Sequence, residues 1–385
     1  MIVEEKRKAV SHMIIMDVSF DNFYAFRNFH MNMSYPKKIV NSCIEGEFLD
    51  GHPNFRYKKV NIIMGANASG KTSLGKMLMN IFNFMKKKEF SKLTHAICDP
   101  DIPASFSIDF IPTNDDQLYR VQTQINPSAE DDYQISDIST VVKSVKISQN
   151  DRYETCAQKL DQLPISPTEN YIEELEKLPN LSWFFSYPQD FVGDFPWRTL
   201  NDSEKYLPIL KNILTALDPA ITNVSRLQGV EGAYIINLQN DYAILQDNEL
   251  TNSDLLSTGT KAGIDIAALL TSMVEDRNSF YYCDEKFSYI HSDIEKAILS
   301  VMIESLHPDN QLFFTTHNME LLDLPLPKHT FQFLRKDVSN KDHPIDCVSA
   351  SDWLKRNTDS VKSALDNDLF SASPATDLIY DILDL

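Results

Sequence analysis

Residues 65–73 read Gly65-Ala66-Asn67-Ala68-Ser69-Gly70-Lys71-Thr72-Ser73. A glycine, four residues and then Gly-Lys-Thr is the spacing of a phosphate loop, and its chemistry is anion binding. The glycines let the backbone turn so tightly that its N–H groups converge, and the start of a following helix adds partial positive charge. Lys71 can then reach the β- and γ-phosphates of a nucleotide, and the Thr72 hydroxyl can hold Mg²⁺. Such a loop needs a strand before it and a helix after it. Val60-Asn61-Ile62-Ile63-Met64 reads as a buried strand, and Leu74, Met77, Leu78, Ile81 and Phe82 recur at helical spacing. Gly65, Ala66, Asn67, Ala68, Ser69, Gly70, Lys71, Thr72 and Ser73 are therefore the candidate nucleotide contacts.

Three later stretches could complete a hydrolytic site. Phe280-Tyr281-Tyr282-Cys283-Asp284-Glu285 is an apolar strand ending in two acids. Asp284 would share the Mg²⁺ shell, and Glu285 would orient and deprotonate the attacking water. Leu256-Ser257-Thr258-Gly259-Thr260 opens a helix-like run. Ser257 and Gly259 could present a second set of N–H groups to an anion. An ordinary helix cap by Ser257 or Thr258 satisfies the same residues, and both readings stay open here. Two such loops far apart in one chain grip one nucleotide most easily when they come from two chains. Gln311-Leu312-Phe313-Phe314-Thr315-Thr316-His317 is another apolar strand. It would put His317 at a strand end, where α/β sheets bind ligands and where it could contact the γ-phosphate. A lone histidine is more commonly an ordinary surface or core residue.

The order of these elements resembles the ABC-type ATPases, and in detail their RecF/SMC/OLD branch rather than the transporters. Asn67 falls in a loop similar to that branch's Gly-x-Asn-x-x-Gly-Lys. Leu256 to Thr260 is similar to its signature, and Asp284-Glu285 followed by Tyr289-Ile290-His291-Ser292-Asp293 resembles its Asp-Glu…Leu-His-Pro stretch. Phe20-Asp21-Asn22-Phe23 and Leu217-Asp218-Pro219 also resemble segments of that branch. The resemblance implies an α/β fold: an ABC-type P-loop ATPase head with an antiparallel β subdomain and a helical insertion. It implies ATP and Mg²⁺ as ligands, catalytic roles for Lys71, Glu285 and His317, and a homodimer or higher homo-oligomer closed by ATP. The branch's glutamine-loop residue has only Gln122 and Gln124 as candidates. The long coiled coil of SMC-like members is missing, and so is the C-terminal nuclease domain of OLD proteins. In that respect the chain is similar to ATPase subunits of bacterial anti-phage systems, whose effector, a nuclease or toxin, is a separate protein.

The elements that must position these residues can be read along the chain. Residues 13–34 alternate as two strands about a turn at Asp21-Asn22. Ala104–Ile111, Leu118–Ile125 and Val141–Ile147 form a β-meander. Residues 150–215 mix short helical patterns with aromatics, Trp183-Phe184-Phe185, Phe191, Phe195 and Trp197 among them. Core packing is the more economical role for those rings, with partner contact as the alternative. A helix over 204–217 ends at Asp218-Pro219, and strands with a turn near Glu231-Gly232 fill 221–246. The expected domains are an ATPase lobe at 13–150, a helical insertion at 151–215, a second ATPase lobe at 216–345 and a helical, acidic tail at 346–385.

Composition narrows the function further. The 385 residues exceed one compact core. The net charge of −19 repels phosphate backbones, so DNA is not the favoured main ligand, although a local basic patch keeps it open. No continuous apolar run is long enough for a membrane span. The N-terminus lacks the apolar core of a signal peptide. The five cysteines are scattered without a CxxC pair, so a reducing cytoplasm is the simplest fit.

Overall fold

The computed structural model describes residues 13–39, 42–112, 115–130, 132–164, 170–188, 191–193, 200, 203–356, 358–370 and 382. Phe195 and Trp197, singled out from the sequence, lie outside the described residues, as does the charged segment 1–12. In chain order the strands are β1 (Met13–Asp21), β2 (Phe29–Asn32), β3 (Phe48–Leu49), β4 (His52–Arg56), β5 (Val60–Met64), β6 (Ala104–Pro112), β7 (Gln117–Ile125), β8 (Ile138–Lys146) and β9 (Trp183–Ser186). They continue with β10 (Phe191–Gly193), β11 (Ile221–Arg226), β12 (Ala233–Leu238), β13 (Tyr242–Gln246), β14 (Glu249–Leu250), β15 (Phe280–Asp284), β16 (Gln311–Thr316), β17 (Phe331–Lys336) and β18 (Ile345–Ser349). The helices are α1 (Lys71–Lys87), α2 (Ser91–Thr94), α3 (Tyr153–Gln162), α4 (Tyr171–Glu176), α5 (Tyr206–Leu217), α6 (Thr258–Val274), α7 (Ser292–Glu304), α8 (Ala350–Trp353) and α9 (Val361–Asp366).

These elements fall into two units. One unit is built mainly from Pro179–Leu312, the other from Ile15–Ile111, Asp116–Leu178 and Phe313–Leu385. The fold class is mixed α/β, as the sequence predicts.

The phosphate-loop unit contains an antiparallel sheet in the order β2-β1-β6-β7-β8. β6, β7 and β8 form the expected meander, with Phe110 opposite Tyr119 and Ile125 opposite Ile138 beside its two turns. Alternate side chains face inward because a strand's period is two. Phe106, Ile108 and Phe110 of β6 and Val121 and Ile125 of β7 are accordingly buried. Strands β5, β17 and β18 run together, β5 parallel to β17 and β17 antiparallel to β18. Every residue of β5 is buried, which fits its continuous apolar reading. Helix α1 buries Leu74, Met77, Leu78, Ile81 and Phe82, the residues of its predicted apolar stripe. At its C-terminal end Phe84 stacks on Tyr171 with ring centroids 5.2 Å apart, and the Tyr171 hydroxyl donates to the Lys88 carbonyl at 2.9 Å.

The second unit holds the antiparallel meander β11-β12-β13-β14 and a sheet segment in the order β10-β9-β15. Here the structure departs from the sequence reading. The aromatic run Trp183-Phe184-Phe185, expected among short helical patterns, is strand β9, paired in parallel with β15 so that Phe280 faces Trp183. All four residues of β9 are buried. A strand covered on both faces shows no alternation, so its pattern cannot be told from a short buried helix. Helix α6 packs on α5 through Gly263, where a β-carbon would lie 2.5 Å from Leu217 Cδ1.

Candidate functional site

The phosphate loop follows β5 directly, and its shape depends on its glycines. A β-carbon at Gly65 would lie 2.4 Å from the Leu334 carbonyl oxygen of β17 and 2.6 Å from Ser69 Oγ. Gly70 caps α1 with φ 105°, a left-handed conformation that side chains disfavour, and a β-carbon there would lie 3.2 Å from both Phe26 and Ile345. Ala68 also has positive φ, at 62°. The Lys71 side chain is buried and turns back on the loop, donating to the carbonyls of Gly65 at 2.7 Å and Ala66 at 3.1 Å. Thr72 and Ser73 follow in the first turn of α1, whose unsatisfied N–H groups and dipole favour an anion. Among the described residues, the buried Ser69 hydroxyl has no hydrogen-bond partner, which is unusual away from a ligand.

His317 belongs to the same unit. It is exposed and follows β16, the sheet neighbour of β5. Thr315 and Thr316 before it are buried, and the Asn318 amide donates to the Thr316 hydroxyl at 2.9 Å. Gln122 and Gln124 lie on β7, and Gln124 donates to Asn126 Oδ1 at 2.8 Å.

The second unit carries the other candidates. Ser257 is the N-cap of α6, its hydroxyl accepting from the Thr260 amide at 3.1 Å. Gly259 stands in the first turn, where a β-carbon would meet the Tyr289 carbonyl oxygen at 2.7 Å. The capping geometry is therefore present together with a glycine whose replacement would force the Tyr289 backbone to shift. Asp284 ends β15 with no exposed surface, and Glu285 after it is half-buried with φ 42°. A left-handed glutamate is an uncommon conformation that concentrates at functional positions. Burial pushes the Cys283 thiol of β15 well up, against the opposing pull of the nearby Lys286 ammonium, so it stays a neutral core group.

Two residues absent from the sequence reading stand beside these. Lys286 has a side chain with no exposed surface and is ion-paired with Asp265 of α6. A single acid within the apolar run Ile264–Leu270 was the one signal available, and nothing local connects it to residue 286.

Oxygen donors suit Mg²⁺, and the Thr72 hydroxyl and the Asp284 carboxylate are such donors. Mg²⁺ sites of this kind use one or two carboxylates plus substrate phosphates rather than an all-protein cage. No group of three or more His, Cys, Asp or Glu side chains among the described residues could hold a metal. No helix among them is long and apolar enough to cross a membrane.

Comparison with solved structures finds similar chains. An SMC head bound to the C-terminal winged-helix domain of ScpA is 14% identical, covering 88% of this chain and 99% of that one, with a TM-score of 0.49. The SMC head domain from Thermotoga maritima is also 14% identical, covering 87% and 98%, with a TM-score of 0.41. The recombination mediator RecF is 12% identical, covering 88% and 99%, with a TM-score of 0.42. No curated protein matches the sequence. Residues 60–323, from the strand before the phosphate loop to beyond His317, match the family described as "AAA domain, putative AbiEii toxin, Type IV TA system". That span is well over half of the chain, and the chain belongs to this family of P-loop ATPases.

Proposed function

We propose that this protein is an ATP-driven switch: two copies close around ATP, hydrolysis reopens them, and the state of the pair controls a separate effector, a nuclease or toxin, in anti-phage defence. The observation that carries the nucleotide part is the shaped loop 65–72, with Gly65 against Leu334, Gly70 at φ 105° and the Lys71 ammonium gathered onto the loop. In this reading the loop amides and Lys71 bind the β- and γ-phosphates. Ser257 and Gly259 of one copy meet the γ-phosphate held by the other. Glu285 takes a proton from the attacking water, and His317 holds the γ-phosphate during transfer. Thr72 and Asp284 would hold Mg²⁺, which when bound neutralises charge on the phosphate oxygens. Hydrolysis then removes the contacts that keep two copies together, so nucleotide state and assembly state become one variable.

The defence role is supported by the family match. The charge of −19 argues against a DNA clamp as the primary role. Light scattering on Glu285→Gln protein, with and without Mg-ATP, tests the switch. A shift to dimer or higher mass on ATP supports it; bound ATP with no change of mass refutes it. Tight, salt-dependent binding to duplex DNA would instead favour a repair ATPase resembling RecF.

A further inference from the structure

Glu285 holds a left-handed backbone although it is not glycine, and the surrounding contacts show what keeps it there. The next residue, Lys286, buries its whole side chain, pairs with Asp265 and also reaches the Pro188 carbonyl at 3.4 Å. The amide and hydroxyl of Ser288 both return to the Glu285 carbonyl, at 3.2 and 2.7 Å. The Tyr289 carbonyl then lies against Gly259, too close for any β-carbon. Asp265 and Gly259 are on the same helix, α6, so the segment from Glu285 to Tyr289 is fastened to that helix at both ends.

A buried ion pair is a poor device for stability alone, because desolvation offsets its attraction and apolar residues of similar size do as well. What it supplies is a fixed direction. We propose that Lys286 is a positioning residue: its pairing with Asp265 fixes the Glu285 backbone and makes Glu285 and the first turn of α6 one rigid piece. Contact of Ser257 and Gly259 with a partner's nucleotide thereby sets the orientation of this chain's own Glu285. The inference rests on the hydrolytic role proposed for Glu285.

Removing one charge alone would strand the other in the interior. The test therefore uses the full chain with both replaced, Asp265→Leu with Lys286→Met, beside the neutral hydrogen-bonding pair Asp265→Asn with Lys286→Gln, and Lys286→Arg. Thermal melting, equilibrium affinity for a fluorescent ATP analogue with Mg²⁺, and kcat are measured on each. The expected result for the apolar pair is a folded protein with affinity within about twofold of wild type and kcat lowered by about tenfold or more. Lys286→Arg, which keeps the ion pair, should retain most of kcat. A wild-type kcat in the apolar pair overturns the proposal. Should that pair fail to fold, a wild-type kcat in the neutral pair overturns it equally, and a selective fall in kcat there supports it. A Glu285→Gln protein that hydrolyses at the wild-type rate defeats the parent reading instead, whatever the Lys286 variants do.

Discussion

The Lys71 ammonium donates to the Gly65 carbonyl oxygen at 2.7 Å, so the lysine that ends the loop is also tied to its first residue. The same nitrogen reaches the Ala66 carbonyl at 3.1 Å. One side chain thus carries the charge and gathers the peptide units that would surround a phosphate. Lys71→Ala removes both. Equilibrium titration should show ATP affinity falling by roughly a hundredfold, the equivalent of about 3 kcal/mol, while circular dichroism stays that of the folded chain. Unchanged affinity would contradict the placement of the phosphates in this loop.

Gly65 tests the loop's shape rather than its charge. Gly65→Ala would push a methyl group to 2.4 Å from the Leu334 carbonyl, and a backbone atom cannot swing aside as a flexible side chain can. The variant should lose about 1–3 kcal/mol of stability in urea denaturation and bind ATP weakly. Wild-type affinity would mean that the close approach of β5 and β17 does not shape the site.

The β-meander depends on a charged centre within its unit. Arg120 donates from Nε to Asp109 Oδ1 and from Nη2 to Asp109 Oδ2, each at 2.6 Å, and the Tyr153 hydroxyl donates to Asp109 Oδ2 at 2.9 Å. Burial pushes the Asp109 carboxyl up, and the Arg120 guanidinium beside it opposes that shift. Arg120→Met would leave Asp109 buried without its cation, at a cost of about 3–5 kcal/mol. Chemical denaturation checks this, and a loss below about 1 kcal/mol would contradict a coupled centre.

His30 gives the fold a pH-dependent contact. Its imidazole lies 2.8 Å from Asp17, and the hydrogen bond to Asp17 holds its pKa above the usual histidine range, while partial burial opposes this and the Asp17 and Asp109 charges add to it. A folded pKa above the unfolded value means the contribution is complete below about pH 6.5 and fades as pH rises through the folded pKa. The imidazole is 58% exposed, so solvent screening keeps the effect small. The difference in Tm between wild type and Asp17→Asn should shrink from about pH 5.5 to about pH 8.5. An equal difference at both pH values would contradict the assignment.

What the sequence showed and what it hid follow the range of the interactions. The strand, loop and helix from Val60 to Lys87 were legible because every signal is local: a buried apolar run, two glycines at fixed spacing and a 3.6-residue stripe. The meander from Ala104 to Lys146 was legible because one face of it is buried and alternation survives. Trp183-Phe184-Phe185 was misread because β9 is buried on both faces and alternation vanishes. The pairing of Asp265 with Lys286 and the approach of Gly259 to Tyr289 join residues 21 and 30 positions apart, and only the fold brings them together. The left-handed backbone of Glu285 was likewise invisible, since no glycine or asparagine marks it.

Phosphate release from Mg-ATP, measured for wild type and Glu285→Gln over a range of protein concentrations, reads hydrolysis and pairing together. The wild-type rate per chain should rise with concentration as pairs form, and Glu285→Gln should lose about a hundredfold or more. A Glu285→Gln protein releasing phosphate at the wild-type rate, or a wild-type rate per chain independent of concentration in a monomer, would contradict it.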